Sequence, residues 1–195
     1  MFASMPPATR VLIFVNAMVY LLQQMAPRAI DTLFALWPLG PLFQPWQLIT
    51  YAFLHASFAH IFFNMFALFM FGGALERFWG SGRFLVFYLV SVLGAAATQL
   101  AVQVLARTGE PVIGASGGVF GLLLAFAWYF PRQRIILLFP PIPMPAWLFV
   151  TLYGGIELIL GVTGSQTGVA HFAHLGGMLG GAIMILLWRR GGRAH

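Results

Sequence analysis

Residues Val169–Trp188 read VAHFAHLGGMLGGAIMILLW, 20 positions without a charged side chain, closed by Arg189 and Arg190. Wound as a helix at about 1.5 Å per residue, such a stretch matches the roughly 30 Å hydrocarbon core of a bilayer. It is not uniform. His171 and His174 stand near one end, and Gly177 and Gly181 follow on the His174 face. Small residues four apart allow a second helix to approach backbone to backbone. The segment therefore predicts a membrane helix that packs closely and carries two imidazoles to lipid depth.

Five further apolar stretches precede it, at about Val11–Met25, Phe58–Leu75, Phe84–Leu105, Ala115–Phe130 and Ala146–Leu160. The composition agrees. Of 195 residues, 61% are hydrophobic and 7% charged, against about a quarter charged in soluble domains. A soluble fold of this size cannot hide that much apolar surface. The expectation is an all-α membrane protein, a six-transmembrane-helix bundle forming one domain over residues 1–195. The first stretch is kept as a span rather than a signal peptide, because no small-x-small cleavage site precedes a soluble domain. The segment from about Ala26 to Ser57 is the one long connection; with Trp37, Trp46, Tyr51 and several prolines it suits the headgroup level. Leu137–Pro145, with four prolines in nine residues, cannot continue a helix and reads as an interfacial link.

The net charge of +6 comes from ten basic residues, all arginine, and their distribution excludes a nucleic-acid surface. They lie between apolar runs instead of clustering on one face. Six spans put both termini on one side, and Arg10, Arg77, Arg83, Arg132, Arg134, Arg189, Arg190 and Arg193 fall there, with only Arg28 and Arg107 opposite. The positive-inside rule then makes both termini cytoplasmic. Cysteine is absent, which excludes disulfides and thiol chemistry.

Few polar residues enter the spans, and ionisable groups there are functional candidates by default. Depth can be counted from the charged residue at each cytoplasmic end. Ser116 is 16 residues from Arg132, His174 is 15 from Arg189, and His60 is 16 from Glu76. Each therefore lies about 22–24 Å up, with Asn64 one turn below His60 at about 18 Å. Three helices deliver a hydroxyl, imidazoles and an amide to one layer. Those are the parts for acyl transfer: nucleophile, base and oxyanion donors. Ser116 lies in Gly114-Ala115-Ser116-Gly117-Gly118 at a helix start, where backbone N–H groups lack intrahelical acceptors. Gly177 and Gly181 would let the His174 helix close on it. Small-residue packing alone also explains the Ser116 motif, and a hydrogen-bonded packing role also suits either histidine. His60, His171 and His174 could form a metal site, but no carboxylate stands at a clear ligand spacing, so no metal or cofactor is expected. Glu157 reads as structural, since its depth depends on where its helix begins after the prolines; the alternative is a role as the third member of a triad.

These residues resemble the rhomboid intramembrane serine proteases over most of the chain from Trp46 to Gly181. The resemblance rests on Trp46-Gln47-Leu48-Ile49-Thr50, His55, His60-Ile61-Phe62-Phe63-Asn64, Gly72-Gly73-Ala74-Leu75-Glu76-Arg77, Gly114-Ala115-Ser116-Gly117 and Ala173-His174-Leu175-Gly176-Gly177 with Gly181. It implies a dyad without an acid, with Ser116 as nucleophile and His174 as base, inside a catalytic core of about residues 46–188. His60 and Asn64, with the Ser116 amide, are implied as the oxyanion hole, and His171 falls outside the dyad. Gln47 stands where some members have arginine, and Phe120 where some have tyrosine. Transmembrane segments of other proteins are the implied substrates, and a bacterial inner membrane with an extracytoplasmic active site is the expected location. A non-catalytic membrane-protein-binding scaffold or a small transporter is the alternative, which the retained nucleophile, base and oxyanion donors disfavour.

Overall fold

The computed structural model describes residues 5–107, 109–136, 141–164 and 170–190. The chain is mostly helical: α1 (Pro7–Met25), α2 (Pro27–Phe34), α3 (Gln47–Thr50) running into a 3₁₀ turn (Tyr51–Phe53), α4 (Phe58–Ala67), α5 (Gly73–Trp79), α6 (Ser81–Ala106), α7 (Ser116–Tyr129), α8 (Ala146–Thr163) and α9 (His171–Arg190). A π-type turn over Leu68–Gly72 joins α4 to α5, so Phe58–Trp79 is one 22-residue apolar rod. Among the described residues, five helices are long and apolar enough to cross a bilayer, and α7, with 14 residues, is shorter. The first span starts at Pro7, whose fixed φ and missing N–H suit a first helical position. The expected start of the last span, Val169, lies outside the described residues, as does Arg193.

The long connection from 26 to 57 contains α2, α3 and the 3₁₀ turn. Buried Gln47 knits it together, accepting from the Gln44 amide at 3.1 Å and donating to the Leu42 carbonyl at 3.0 Å. The all-helical expectation meets one short exception. In the proline-rich link, β1 (Arg134–Ile136) pairs antiparallel with β2 (Pro143–Pro145). A two-stranded ribbon consists only of edges, where proline is tolerated. Residues 137–140 of that link lie outside the described part.

Helices α6, α7 and α9 form the centre, with α1, α4–α5 and α8 around it. The α7–α9 contact is set by glycine. A Cβ at Gly177 would run into the Gly117 carbonyl, and one at Gly181 would stand 2.9 Å from Phe87 Cζ and 3.4 Å from Gly121 Cα. Outward faces are apolar, with Phe14, Leu105, Ile159, Val162 and Leu179 all more than half exposed, as a lipid solvent requires.

One end of the bundle is tied by aromatic rings and a carboxylate. Trp79 packs edge-on against Tyr129 and Trp188, with centroids 5.5 and 5.3 Å apart, and Arg83 and Arg189 lie over Trp188 and Trp128. Here Glu76 accepts from the Ala8 and Thr9 amides at 2.8 and 2.7 Å, and from the Thr9 and Ser81 hydroxyls, both at 2.7 Å. A carboxylate on first-turn N–H groups satisfies orphan donors and faces the positive end of the α1 dipole.

Candidate active site

The site is built at the opposite end, beginning with the backbone that introduces α7. Val112 exchanges a pair of hydrogen bonds with Leu36 at 2.9 and 3.0 Å, and the Gly114 amide donates to the Tyr51 carbonyl at 2.9 Å. The Tyr51 hydroxyl reaches across to the Val92 carbonyl on α6 at 2.8 Å. The long connection therefore fixes the approach to α7, and Ser116 opens that helix directly afterwards. Gly114 has φ +131°, and a Cβ there would lie 2.8 Å from His60 Nε2 and 3.5 Å from Ser116 Oγ. Only glycine accepts that φ comfortably, and its bare Cα leaves the His60 ring and the Ser116 hydroxyl on a shared surface.

Because Gly177 sits against Gly117, His174, one turn earlier on α9, is brought to the start of α7. His174 Nε2 stands 2.9 Å from Ser116 Oγ. Phe120, one turn into α7, stacks on the imidazole with centroids 4.3 Å apart and planes 5° from parallel. On the ring's other edge, His174 Nδ1 lies 2.9 Å from Glu157 Oε2. The same oxygen is 2.6 Å from His171 Nδ1. Glu157 and His171 are both buried.

His60 and Ser116 thus border Gly114, and His174 reaches the same place through Ser116. His60 is positioned from its helix start: Ser57 caps α4 by accepting the His60 amide at 3.1 Å. The Ala56 amide donates to His60 Nδ1 at 3.4 Å. Asn64 is buried one turn below, its side-chain amide donating to the His60 carbonyl at 3.0 Å. His55 lies edge-on to His60 with centroids 4.9 Å apart. Burial, and then the neighbouring His60, push the His55 imidazole down to about 3, so it is an uncharged ring at neutral pH.

Glu157 is the residue whose place the sequence did not reveal. The metal grouping considered from sequence was His60, His171 and His174. Among the described residues, the three groups with mutually close ligand atoms, within 4.8 Å, are Glu157, His171 and His174. A cation could be held there, although 2.6 and 2.9 Å are hydrogen-bond separations. No local spacing marks the contact, since Glu157 lies six residues before the end of α8 whereas His171 is the first residue of α9.

Apolar helices around a half-buried serine–histidine pair define a helical membrane protein with the chemical groups of a serine hydrolase. The Rhomboid domain family matches residues 42–191, and the chain belongs to that family. It is 32% identical over 146 residues to Rhomboid protein 1, mitochondrial, of Saccharomyces cerevisiae, covering 70% of this chain and 40% of that protein. It is 32% identical over 137 residues to Rhomboid protease GluP of Bacillus subtilis, covering 70% and 24% respectively. Rhomboid protease GlpG of Salmonella choleraesuis is 29% identical over 124 residues, covering 63% and 43%. The chain spans less than half the length of each of these relatives.

Proposed function

We propose that the chain is an intramembrane serine endopeptidase that cuts transmembrane segments of other membrane proteins. The observation that carries this reading is the 2.9 Å approach of His174 Nε2 to Ser116 Oγ inside an apolar helical bundle. Two relatives bear the name rhomboid protease. Ser116 Oγ attacks the scissile carbonyl while His174 Nε2 takes its proton, then returns it to the leaving amine. Water, activated by the same imidazole, hydrolyses the acyl-enzyme.

The developing oxyanion is received by the Ser116 amide, His60 and Asn64. In support, His60 Nδ1 accepts from the Ala56 amide, so a neutral ring carries its proton on Nε2, the atom facing Gly114 and Ser116. Asn64 bonds the His60 carbonyl through one amide hydrogen and has a second to offer. A donor of this kind contributes about 10²–10³ in rate.

In this reading α7 is the fourth of six spans, and its shortness serves the chemistry. Fourteen residues reach about 21 Å, short of a roughly 30 Å core, which sets Ser116 below the membrane surface. The end bearing Arg10, Arg77, Arg83, Arg132 and Arg189 is cytoplasmic, as are both termini, and the catalytic end faces the opposite side of a bacterial-type inner membrane. Substrates enter laterally between α4 and α8, whose exposed Phe62, Phe63, Leu152 and Ile156 offer apolar faces near the site. A helical peptide bond is shielded by its own hydrogen bonding, so residues with poor helix propensity near the cut favour cleavage.

The test is cleavage of a single-span substrate by purified protein in liposomes. Ser116→Ala and His174→Ala are each expected to lose about 10⁴-fold or more in kcat while remaining folded. Substantial cleavage by either folded variant would overturn the reading.

A further inference from the structure

We propose that Glu157 is the positioning residue of the serine–histidine pair, its carboxylate holding His174 in the tautomer that leaves Nε2 free to receive the Ser116 proton. This deepens the protease reading and rests on it. The atoms form one chain: Glu157 Oε2, 2.9 Å to His174 Nδ1, across the ring to Nε2, then 2.9 Å to Ser116 Oγ. A neutral imidazole has one proton and one lone pair, and an ionised carboxylate only accepts. The proton therefore sits on Nδ1, and the Nε2 lone pair faces the serine hydroxyl. Each polar atom along the chain then has a complementary partner.

Phe120 and Glu157 divide the task of holding the ring. The Phe120 face, stacked within 5° of parallel, fixes the imidazole plane but is indifferent to which nitrogen bears the proton. The carboxylate supplies that choice. It also lies where positive charge appears when His174 becomes imidazolium during attack, so charge separation in an apolar site is compensated.

His171 gives the same carboxylate a second hydrogen-bond donor, while the chain to Ser116 runs through His174 alone. One turn before His174 on α9, it donates from Nδ1 to the same Glu157 oxygen at 2.6 Å. A buried carboxylate without donors is costly, and the second imidazole meets part of that need without touching Ser116. The family resemblance implies a dyad without an acid, and in this chain α8 brings an acid to that dyad.

The test uses the full chain in detergent micelles and in liposomes with a single-span substrate. Nitrogen-15 spectra of histidine-labelled protein, with His174 assigned by its loss in His174→Ala, are expected to show protonated Nδ1 and unprotonated Nε2. In Glu157→Gln the preference is expected to collapse or invert. That variant is expected to lose about 10²–10⁴-fold in kcat with KM within about twofold. His171→Ala disturbs the same carboxylate from the other side and is expected to keep at least about a third of kcat. A carboxylate that merely clamps α8 to α9 would move neither the tautomer nor the kcat–KM split. Protonated Nε2 in the wild type would overturn the proposal even if Glu157→Gln failed to fold. Wild-type kcat in folded Glu157→Gln would overturn it, as would equal losses in Glu157→Gln and His171→Ala. Stoichiometric zinc in active protein, with cleavage lost on chelation, would also overturn it, because the metal would replace the Nδ1 proton. Loss of cleavage in Ser116→Ala alongside wild-type kcat in Glu157→Gln removes the positioning role alone, whereas cleavage by folded Ser116→Ala removes the protease reading itself.

Discussion

Two glutamates are buried in this bundle, one near each end, and they are opposites in everything except burial. Glu76 is 2% exposed and accepts from two backbone amides of α1 and from the Thr9 and Ser81 hydroxyls. None of those donors gives up its proton near neutral pH, so the carboxylate joins α1 to α5 and α6 and does nothing else. Glu157 is 7% exposed and meets only imidazoles, one of which touches a serine. An imidazole does exchange its proton near neutral pH. Burial alone therefore does not mark an acid as functional, and the chemistry of its donors does.

That contrast can be broken or sharpened by substitution at either end. His174→Ala, at the catalytic end, carries the largest expected effect on turnover, about 10⁴-fold or more in kcat, with little change in thermal stability. Glu157→Gln follows, with kcat down about 10²–10⁴-fold and KM nearly unchanged in the same cleavage assay. Glu76→Gln should reverse the pattern. The melting temperature of the detergent-solubilised protein falls by about 5 °C or more, while kcat measured well below melting stays within about twofold of wild type. A Glu76→Gln protein of wild-type stability but impaired turnover would dissolve the division between the two ends. His171→Ala is smallest, with a loss of about threefold or less in kcat, and a complete loss in a folded protein would place His171 inside the dyad.

Five of the six expected spans were legible because a bilayer imposes simple rules on a chain. Apolar runs must be long, and polar groups within them are few enough to count. Residue counting from Arg132, Arg189 and Glu76 gave Ser116, His174 and His60 one expected depth; in the structure His174 lies against Ser116, and His60 and Ser116 both border Gly114. The roles of the two glutamates were not legible for different reasons. Glu76 served only as a depth marker, since its partners Ala8 and Thr9 are 67–68 residues away in sequence, and no local pattern announces such a contact. Glu157 was hidden by the prolines before α8, which left the helix start, and therefore the depth of the acid, undetermined until β1 and β2 were seen to lead into Ala146. Phe120 stood out only as a position where some family members have tyrosine, because stacking on a particular ring is a tertiary fact.

The most direct test of the central claim, that His174 activates Ser116 as a nucleophile, is peptide mass spectrometry of protein treated with a fluorophosphonate. The expected result is one adduct per chain on Ser116, absent from Ser116→Ala and lost or greatly slowed in folded His174→Ala. Wild-type labelling in folded His174→Ala, or an adduct on a different serine that tracks with loss of cleavage, would contradict it.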